Sequence, residues 1–228
     1  MATATRTTAS TLHAAGLRVG AVLLAAGSGS RMGYRPKSLL LLDGEPLILR
    51  HWRVLHTAGV QVVRVVLGHH AAQIEPVLAA AGLRSGTDWI THPDPEQGQV
   101  SSQRLGLAAL PASLDAVLVA LADQPLIGVR EIASLIEAYR HRPAGTGVVV
   151  PTVRGERGNP VIFSADVRER ILQGPQDFGC RQWQQAHPQA VHRWAAPGAG
   201  YGVDLDTPAD VERLRAMGAQ DVRWPGDN

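Results

Sequence analysis

The sequence predicts an α/β protein with a doubly wound, mostly parallel sheet of Rossmann-like type. Three observations carry that expectation. Short apolar runs rich in β-branched residues alternate along the chain with stretches of helical spacing. The best of these runs are apolar throughout and do not alternate, as strands covered on both faces require. Several end in glycine or other small residues, and the loops beyond such strands are where these sheets bind ligands.

In chain order, Val19 to Leu24 is the first buried strand, and Pro46 to Ala58 is a helix that stops at Gly59. Val60 to Leu67 reads as a strand, Ala71 to Ala81 as a helix, and Trp89 to Thr91 as a short strand. A helix over Val100 to Leu110 precedes Ala116 to Leu121, the most apolar strand of the chain. Glu131 to Arg140 is helical, Val148 to Val150 a strand, and Asn159 to Phe163 a further extended segment. Helices over Asp166 to Leu172, Arg181 to Ala186 and Ala209 to Met217 complete the pattern. Residues 1–17, rich in Thr and Ala and lacking acids, read as a disordered extension, and residues 218–228 as a frayed tail. Residues 18–217 are expected to form one domain.

The 228 residues are 45% hydrophobic and 18% charged, which supplies a core, yet no run approaches the ~20 apolar residues of a membrane helix. A net charge of +2 without a basic tract argues against an electrostatic nucleic-acid binder. The one cysteine, Cys180, makes no intrachain disulfide, and no Cys/His cluster has zinc spacing, so a reducing cytoplasm is expected. Of the 22 basic residues only Lys37 is lysine. Arginine does not replace lysine where a compact ammonium must fit among phosphates.

Three loops after strands carry the candidate chemistry. Ala25-Ala26-Gly27-Ser28-Gly29-Ser30-Arg31-Met32-Gly33, followed by Pro36-Lys37, lets the backbone approach a ligand, and Arg31 and Lys37 supply charge to one anion. Its glycines also spell a loose dinucleotide fingerprint. That reading needs an acid at the end of the second strand, where Leu67-Gly68-His69-His70 stands. It also leaves Arg31 and Lys37 without work; a glycine-rich loop alone is as easily a structural turn, and Arg31 with the only lysine at its far side favours triphosphate binding. Asp123 leaves the most apolar strand in Leu121-Ala122-Asp123-Gln124-Pro125, well placed for a divalent cation, although a turn or cap role is the simpler reading of a lone Asp. In Val203-Asp204-Leu205-Asp206-Thr207-Pro208-Ala209-Asp210, Asp204 and Asp206 project to one side, while Thr207 or Asp206 caps the helix that Pro208 opens.

The first loop resembles the signature of nucleotidyltransferases with the glycosyltransferase-A-like fold. Five further segments narrow the resemblance: Gly98-Gln99-Val100-Ser101-Ser102, Leu121 to Pro125, Gly158-Asn159-Pro160-Val161, Asp177-Phe178-Gly179-Cys180-Arg181, and Asp204 to Asp210. In order and spacing they are similar to the molybdenum cofactor cytidylyltransferases, MobA-like proteins that serve molybdenum hydroxylases. The resemblance covers about residues 19 to 217. It implies transfer of CMP from CTP to the phosphate of molybdopterin with release of pyrophosphate, and a hydroxylase that receives the product. It further implies nucleotide binding by Leu24, Ala25, Ala26, Gly27, Ser28, Gly29, Arg31, Lys37, Gly98 and Ser102, and catalysis by Lys37, Arg31 and Asp123. Mg²⁺ would be held by Asp123 with Asp204 or Asp206, and the acceptor by Asn159, Pro160, Asp177 and Arg181.

Two departures fall on the acceptor side: Asn159 stands where the family commonly has His, and Gln176 where it often has Gly. The cytidylyltransferases of isoprenoid synthesis share the first loop but carry a basic Ala-Arg-Pro stretch where this chain reads Ala122-Asp123-Gln124-Pro125. MobA-like guanylyltransferases have Gly-Gly in place of Ala26-Gly27. A non-catalytic accessory protein would be expected to have lost Lys37 or the acids, and neither is lost. The histidine pairs His69-His70 and His187 with His192 read as solvent-side residues, since no acid joins them at metal-ligand spacing.

Overall fold

Residues 16–218 and 221–227 are described in the computed structural model. Strands β1 (Val19–Ala25), β4 (Val62–Leu67), β5 (Trp89–Thr91), β6 (Ala116–Leu121), β7 (Val148–Val153), β8 (Glu156–Arg157), β9 (Val161–Ser164) and β10 (Val191–Ala195) form the main sheet. A small second sheet contains β2 (Leu41–Leu42), β3 (Glu45–Pro46) and β11 (Val222–Arg223). The helices are α1 (Leu47–Thr57), α2 (Ala71–Ala80), α3 (Gly98–Ala108), α4 (Val129–Arg140), α5 (Ala165–Gln173), α6 (Cys180–Ala186) and α7 (Pro208–Ala216).

The main sheet runs β10-β7-β9-β6-β1-β4-β5, with β8 paired to β7. β1 pairs in parallel with both β4 and β6, and β10 in parallel with β7, whereas β9 is antiparallel to both of its neighbours. Parallel strands need covered faces, and alternate residues of β1 show the covering. Ala21 and Leu23 join Ile48 of α1, Ile74 of α2 and Leu135 of α4 in one core. Val22 and Leu24 join Leu107 of α3, Val167 of α5 and Trp183 of α6 in the other. Gly106 sets the depth of α3: a Cβ there would come within 2.4 Å of Val22 and 2.8 Å of Val66. From β1 the chain winds outward to β4 and β5, then returns to β6 on the opposite side. The switch point lies between β1 and β6, where this architecture opens its binding crevice. Among the described residues no helix is long and apolar enough to cross a membrane.

Three segments differ from the sequence expectation. Val191–Ala195 is an edge strand that the sequence hides, because V-H-R-W-A has no apolar run and its residues stay partly exposed. The second sheet turns at Asp43-Gly44, both with positive φ (53° and 79°), the hairpin pair that favours left-handed backbone. The end of the chain is not frayed across residues 221–227. β11 pairs with β2, Arg215 donates to the Val222 carbonyl from Nε (3.1 Å), and Val222 is buried with Met32, Leu42, Leu47 and Leu214. At the other end, residues 1–15 of the expected extension lie outside the described residues, and Leu17 packs against the main core.

Deleting residues 221–228 is therefore expected to lower the melting temperature by about 4–8 °C. That corresponds to roughly 2 kcal/mol for re-exposing one buried Val at ~2–4 °C per kcal/mol. An unchanged melting curve would restore the view of this segment as a tail.

Candidate active site

The crevice at the switch point is a cleft of about 270 Å³. Its walls include Leu24, Ala25, Ala26 and Gly27 from the exit of β1, Pro36 and Lys37 from the same loop, Gly98 and Ser102 from α3, and Asp123 beyond β6. The loop past β1 is compact. The Gly29 carbonyl accepts from the backbone N–H of Met32 (2.8 Å) and Tyr34 (3.0 Å), at φ +62°, and a Cβ on Gly29 would lie 2.3 Å from the Arg35 carbonyl oxygen. Gly68 has an equal constraint: its Cβ would meet Ala26 O at 2.6 Å, so only glycine lets the loops after β1 and β4 lie side by side.

Charge converges on Lys37. Its ammonium donates to Asp123 Oδ2 (2.5 Å) and Asp206 Oδ1 (3.0 Å), and Arg31 Nη2 lies 3.0 Å from Asp206 Oδ2. Both cations of the first loop thus address one anion, the Asp206 carboxylate. Burial alone would lower the Lys37 pKa, but the charge and hydrogen bonds of Asp123 and Asp206 outweigh it and hold the group above its ordinary value. Burial pushes Asp206 up, and the opposing hydrogen bond and charge of Lys37, with Arg31, bring it below the ordinary carboxylate value. Asp204 is shifted the other way. Burial raises it first, the charge of Asp123 adds to that, and a hydrogen bond from Gln124 Nε2 to Asp204 Oδ1 (2.8 Å) only partly compensates.

The acid loop is rigidly placed. The backbone N–H of Leu205 donates to Asp123 O (2.9 Å), and the buried Leu205 side chain lies between two half-buried acids. Asp210, in the first turn of α7, accepts from the backbone N–H of Asp206 (3.0 Å) and Thr207 (2.6 Å) and from the Thr207 hydroxyl (2.8 Å). Thr207 is the capping residue, which leaves the Asp206 carboxylate to Lys37 and Arg31; Arg31, Asp204 and Asp206 do not themselves line the cleft but border it through Lys37 and Asp123.

Whether these acids suit Mg²⁺ is a question of donor chemistry. One ammonium touches both Asp123 and Asp206, so the two carboxylates are close enough to share a cation. Among the described residues no group of three or more His, Cys, Asp or Glu could hold a metal ion. Two carboxylates that leave the remaining positions to phosphate oxygens and water are what a small, strongly hydrated ion tolerates. The residues fit.

Several site residues were not legible as such. Gln124 is buried and ties Asp204 to the β6 exit, also donating to Tyr201 O (3.3 Å). His51 of α1 lies buried beneath it, Nε2 3.0 Å from Gln124 O. His69 and His70 line the cleft, His69 exposed at its rim with Nδ1 3.7 Å from Glu96 Oε1, and His70 half-buried. His70 Nε2 is 2.8 Å from Ser28 O; a carbonyl only accepts, so the proton sits on Nε2 and steadies the first loop. Ser28 and Gly29 accordingly shape that loop and do not line the cleft. Asn159, Pro160, Asp177 and Arg181 also do not line it. Asn159 donates its backbone N–H to Tyr201 O (2.8 Å) and Pro160 is buried, while Asp177 and Arg181 are exposed around the start of α6.

Comparison with known proteins agrees with this architecture. Residues 21–191 match the family described as MobA-like NTP transferase domain. The chain is 33% identical to 2-C-methyl-D-erythritol 4-phosphate cytidylyltransferase of Streptomyces avermitilis over 75% of its length and 74% of that protein's. It is 32% identical to nicotine blue oxidoreductase of Paenarthrobacter nicotinovorans, over 85% of this chain and 94% of that protein. Among solved structures, Rv0371c of Mycobacterium tuberculosis H37Rv superposes with a TM-score of 0.70 at 26% identity, covering 86% of this chain and 97% of that one. A nucleotidyl transferase from Methanothermobacter thermautotroptrophicus gives 0.70 at 27% identity, covering 89% and 98%.

The Asp204 shift has a sign that stability measurements can read. A carboxyl whose pKa is raised on folding costs stability when ionised, and the cost disappears as pH falls through the carboxylate range. Asp204→Asn keeps an acceptor for Gln124 and removes the charge. It is expected to raise the melting temperature at pH 7, with the difference from the parent closing on acidification. A variant less stable than the parent at neutral pH would contradict the assignment.

Proposed function

The chain belongs to the MobA-like NTP transferase family, and from that premise we propose that it transfers CMP from CTP to the phosphate of a molybdopterin-type acceptor. The observation that carries the reading is the convergence of Lys37, Asp123 and Asp206 at the mouth of a cleft floored by the backbone of Ala25 to Gly27. A triphosphate lying there would offer oxygens to Lys37 and Arg31, releasing both from Asp206. The freed carboxylates of Asp123 and of Asp206 or Asp204 would hold Mg²⁺. When bound, that ion supplies neutralisation of phosphate charge. An acceptor phosphate oxygen attacks the α-phosphorus, the bond to the bridging oxygen breaks, and pyrophosphate departs with the electron pair. The chain's own residues orient the triphosphate and neutralise charge, and no covalent protein intermediate is needed.

Two sequence features favour this reading over the neighbouring activities. Asp123-Gln124-Pro125 stands where the isoprenoid-pathway cytidylyltransferases carry a basic residue, and here Gln124 anchors Asp204. Similarity to the cytidylyltransferase of Streptomyces avermitilis keeps 2-C-methyl-D-erythritol 4-phosphate as the second acceptor to test. Against a nicotinamide-dependent oxidoreductase stands the exit of β4, where Gly68-His69-His70 offers no carboxylate for a ribose. The product would pass to a molybdenum hydroxylase.

The direct assay incubates the pure protein with Mg²⁺, each of the four NTPs, and either molybdopterin or 2-C-methyl-D-erythritol 4-phosphate, reading pyrophosphate. Release with CTP and molybdopterin is expected. Release only with the erythritol phosphate would select the second reading, and none with any pair would contradict both. In the active pair, Lys37→Ala should lower kcat/KM by ~10²-fold or more with little change in melting temperature, and Lys37→Arg should rescue poorly. Near-parental turnover in Lys37→Ala would remove its catalytic role.

The nucleotide preference is expected to be CTP over GTP. Ala26 lines the cleft and its methyl narrows the wall where the guanylyltransferases carry glycine. One methyl is worth ~1–3 kcal/mol, or roughly 10- to 200-fold in kcat/KM. Equal kcat/KM for the two nucleotides would refute this account of the pocket.

A further inference from the structure

Arg157, Arg181 and Arg193 take part in none of the interactions that employ the other buried or paired arginines. Arg168 and Arg104 spend their guanidinium groups on backbone carbonyls: Arg168 on those of Leu107 and Leu110 at the end of α3, Arg104 on those of Leu172, Gly174 and Phe178. Arg18, Arg53 and Arg170 pair with acids. Arg157, Arg181 and Arg193 are exposed, and among the described residues they form no ion pair or side-chain hydrogen bond.

Strand register puts two of them together. Arg193 of β10 is opposite Val150 of β7, and Arg157 of β8 is opposite Thr152 on the other side of β7. Paired residues share a face, as do positions two apart on one strand, so both arginines lie on the face of Val148 and Val150. That face is the one covered by α5 and α6, and Arg181 sits in the first turn of α6. The three charges feel one another. The Arg157 guanidinium is held below its ordinary pKa, first by desolvation and then by the positive charges of Arg181 and Arg193. The thiol of Cys180 does not compensate, because burial pushes its pKa up to about 11 and keeps it neutral. The nearest acids in sequence, Glu156 and Asp177, pair with none of the three, and Glu156, opposite Val153, belongs to the other face.

The cluster adjoins the nucleotide cleft. Cys180 N–H donates to Gln103 Oε1 of α3 (2.8 Å), and a Cβ on Gly179 would lie 3.1 Å from Val100. The start of α6 therefore abuts the same turn of α3 whose Gly98 and Ser102 line the cleft. β7 runs parallel to the strands that open there, so its Thr152 end faces the same edge of the sheet.

Three unpaired guanidinium groups that repel one another and border an active cleft are stable in company of an anion, and Arg forks match a phosphate's oxygens. We infer that Arg157, Arg181 and Arg193 form a second anion subsite, which holds a phosphate or comparable dianion of the acceptor while Lys37 and Arg31 hold the nucleotide. The inference rests on the nucleotidyl-transfer reading for the word acceptor, but not for the existence of the subsite.

The test is direct binding of inorganic phosphate by calorimetry, with and without saturating Mg²⁺ and an α,β-methylene analogue of CTP that fills the first cradle. The parent protein is expected to bind phosphate in the presence of the analogue. The variant R157Q/R181Q/R193Q should bind it at least tenfold more weakly and keep its affinity for the analogue; R84Q, an exposed arginine elsewhere, should bind phosphate like the parent. Phosphate binding that the analogue abolishes, or that the triple variant retains, would overturn the subsite. An arginine-dependent phosphate signal alongside failure of the analogue to bind would support the subsite and contradict the nucleotidyl reading.

Discussion

A single ammonium group joins three loops that are far apart in sequence. Lys37 follows β1, Asp123 follows β6, and Asp206 precedes α7, and the lysine reaches both acids within 3.0 Å. Without that cation three carboxylates would crowd one crevice; Asp204, raised first by burial and then by the charge of Asp123, is held down in part by Lys37. Each partner keeps some solvent exposure, so these ion pairs are not locked in the interior. On the proposed reading, the fold would keep the cation meant for phosphate and the acids meant for Mg²⁺ satisfied by each other until substrate separated them.

The approach of those loops depends on backbone closeness more than on side-chain attraction. Gly106 lets α3 settle on β1 and β4, which brings Gly98 and Ser102 to the cleft. Gly68 lets the β4 exit touch Ala26, and Gly29 lets the first loop fold against Arg35. Beneath them, Gln124 and His51 fix the β6 exit from within the core. A site this dependent on glycine and buried amides is held at the switch point by the sheet, and its charges are mounted on a rigid frame.

Much of this was legible in the residues. The apolar strands announce themselves because both faces of a parallel sheet are covered, and β6 has the boundaries its composition predicts, Ala116 to Leu121. The convergence of Lys37, Asp123 and Asp206 follows from strand-exit logic once the sheet is assumed. What stayed hidden lacks a compositional mark. β10 is an edge strand with neither an apolar run nor a strict alternation, and the two-residue strands around Asp43-Gly44 are too short for periodicity, although the turn pair itself was a usable signal. Residues 221–227 look like a tail because their partners, Leu41 and Leu42, lie about 180 positions earlier. His70 and Arg168 act on backbone carbonyls, which no side-chain motif reveals.

The uniqueness of Lys37 makes the central exchange directly observable. In protein labelled with ¹⁵N at the lysine side chain, one ammonium resonance reports one residue. Its titration midpoint in the free protein is expected above the ordinary lysine value, and to return toward that value in Asp123→Asn. Adding Mg²⁺ with the methylene analogue of CTP should shift the resonance as the ammonium leaves the carboxylates for phosphate. A signal unmoved by saturating Mg²⁺ and analogue would contradict the account, because Lys37 would then be a structural tie and not the cation that receives the triphosphate.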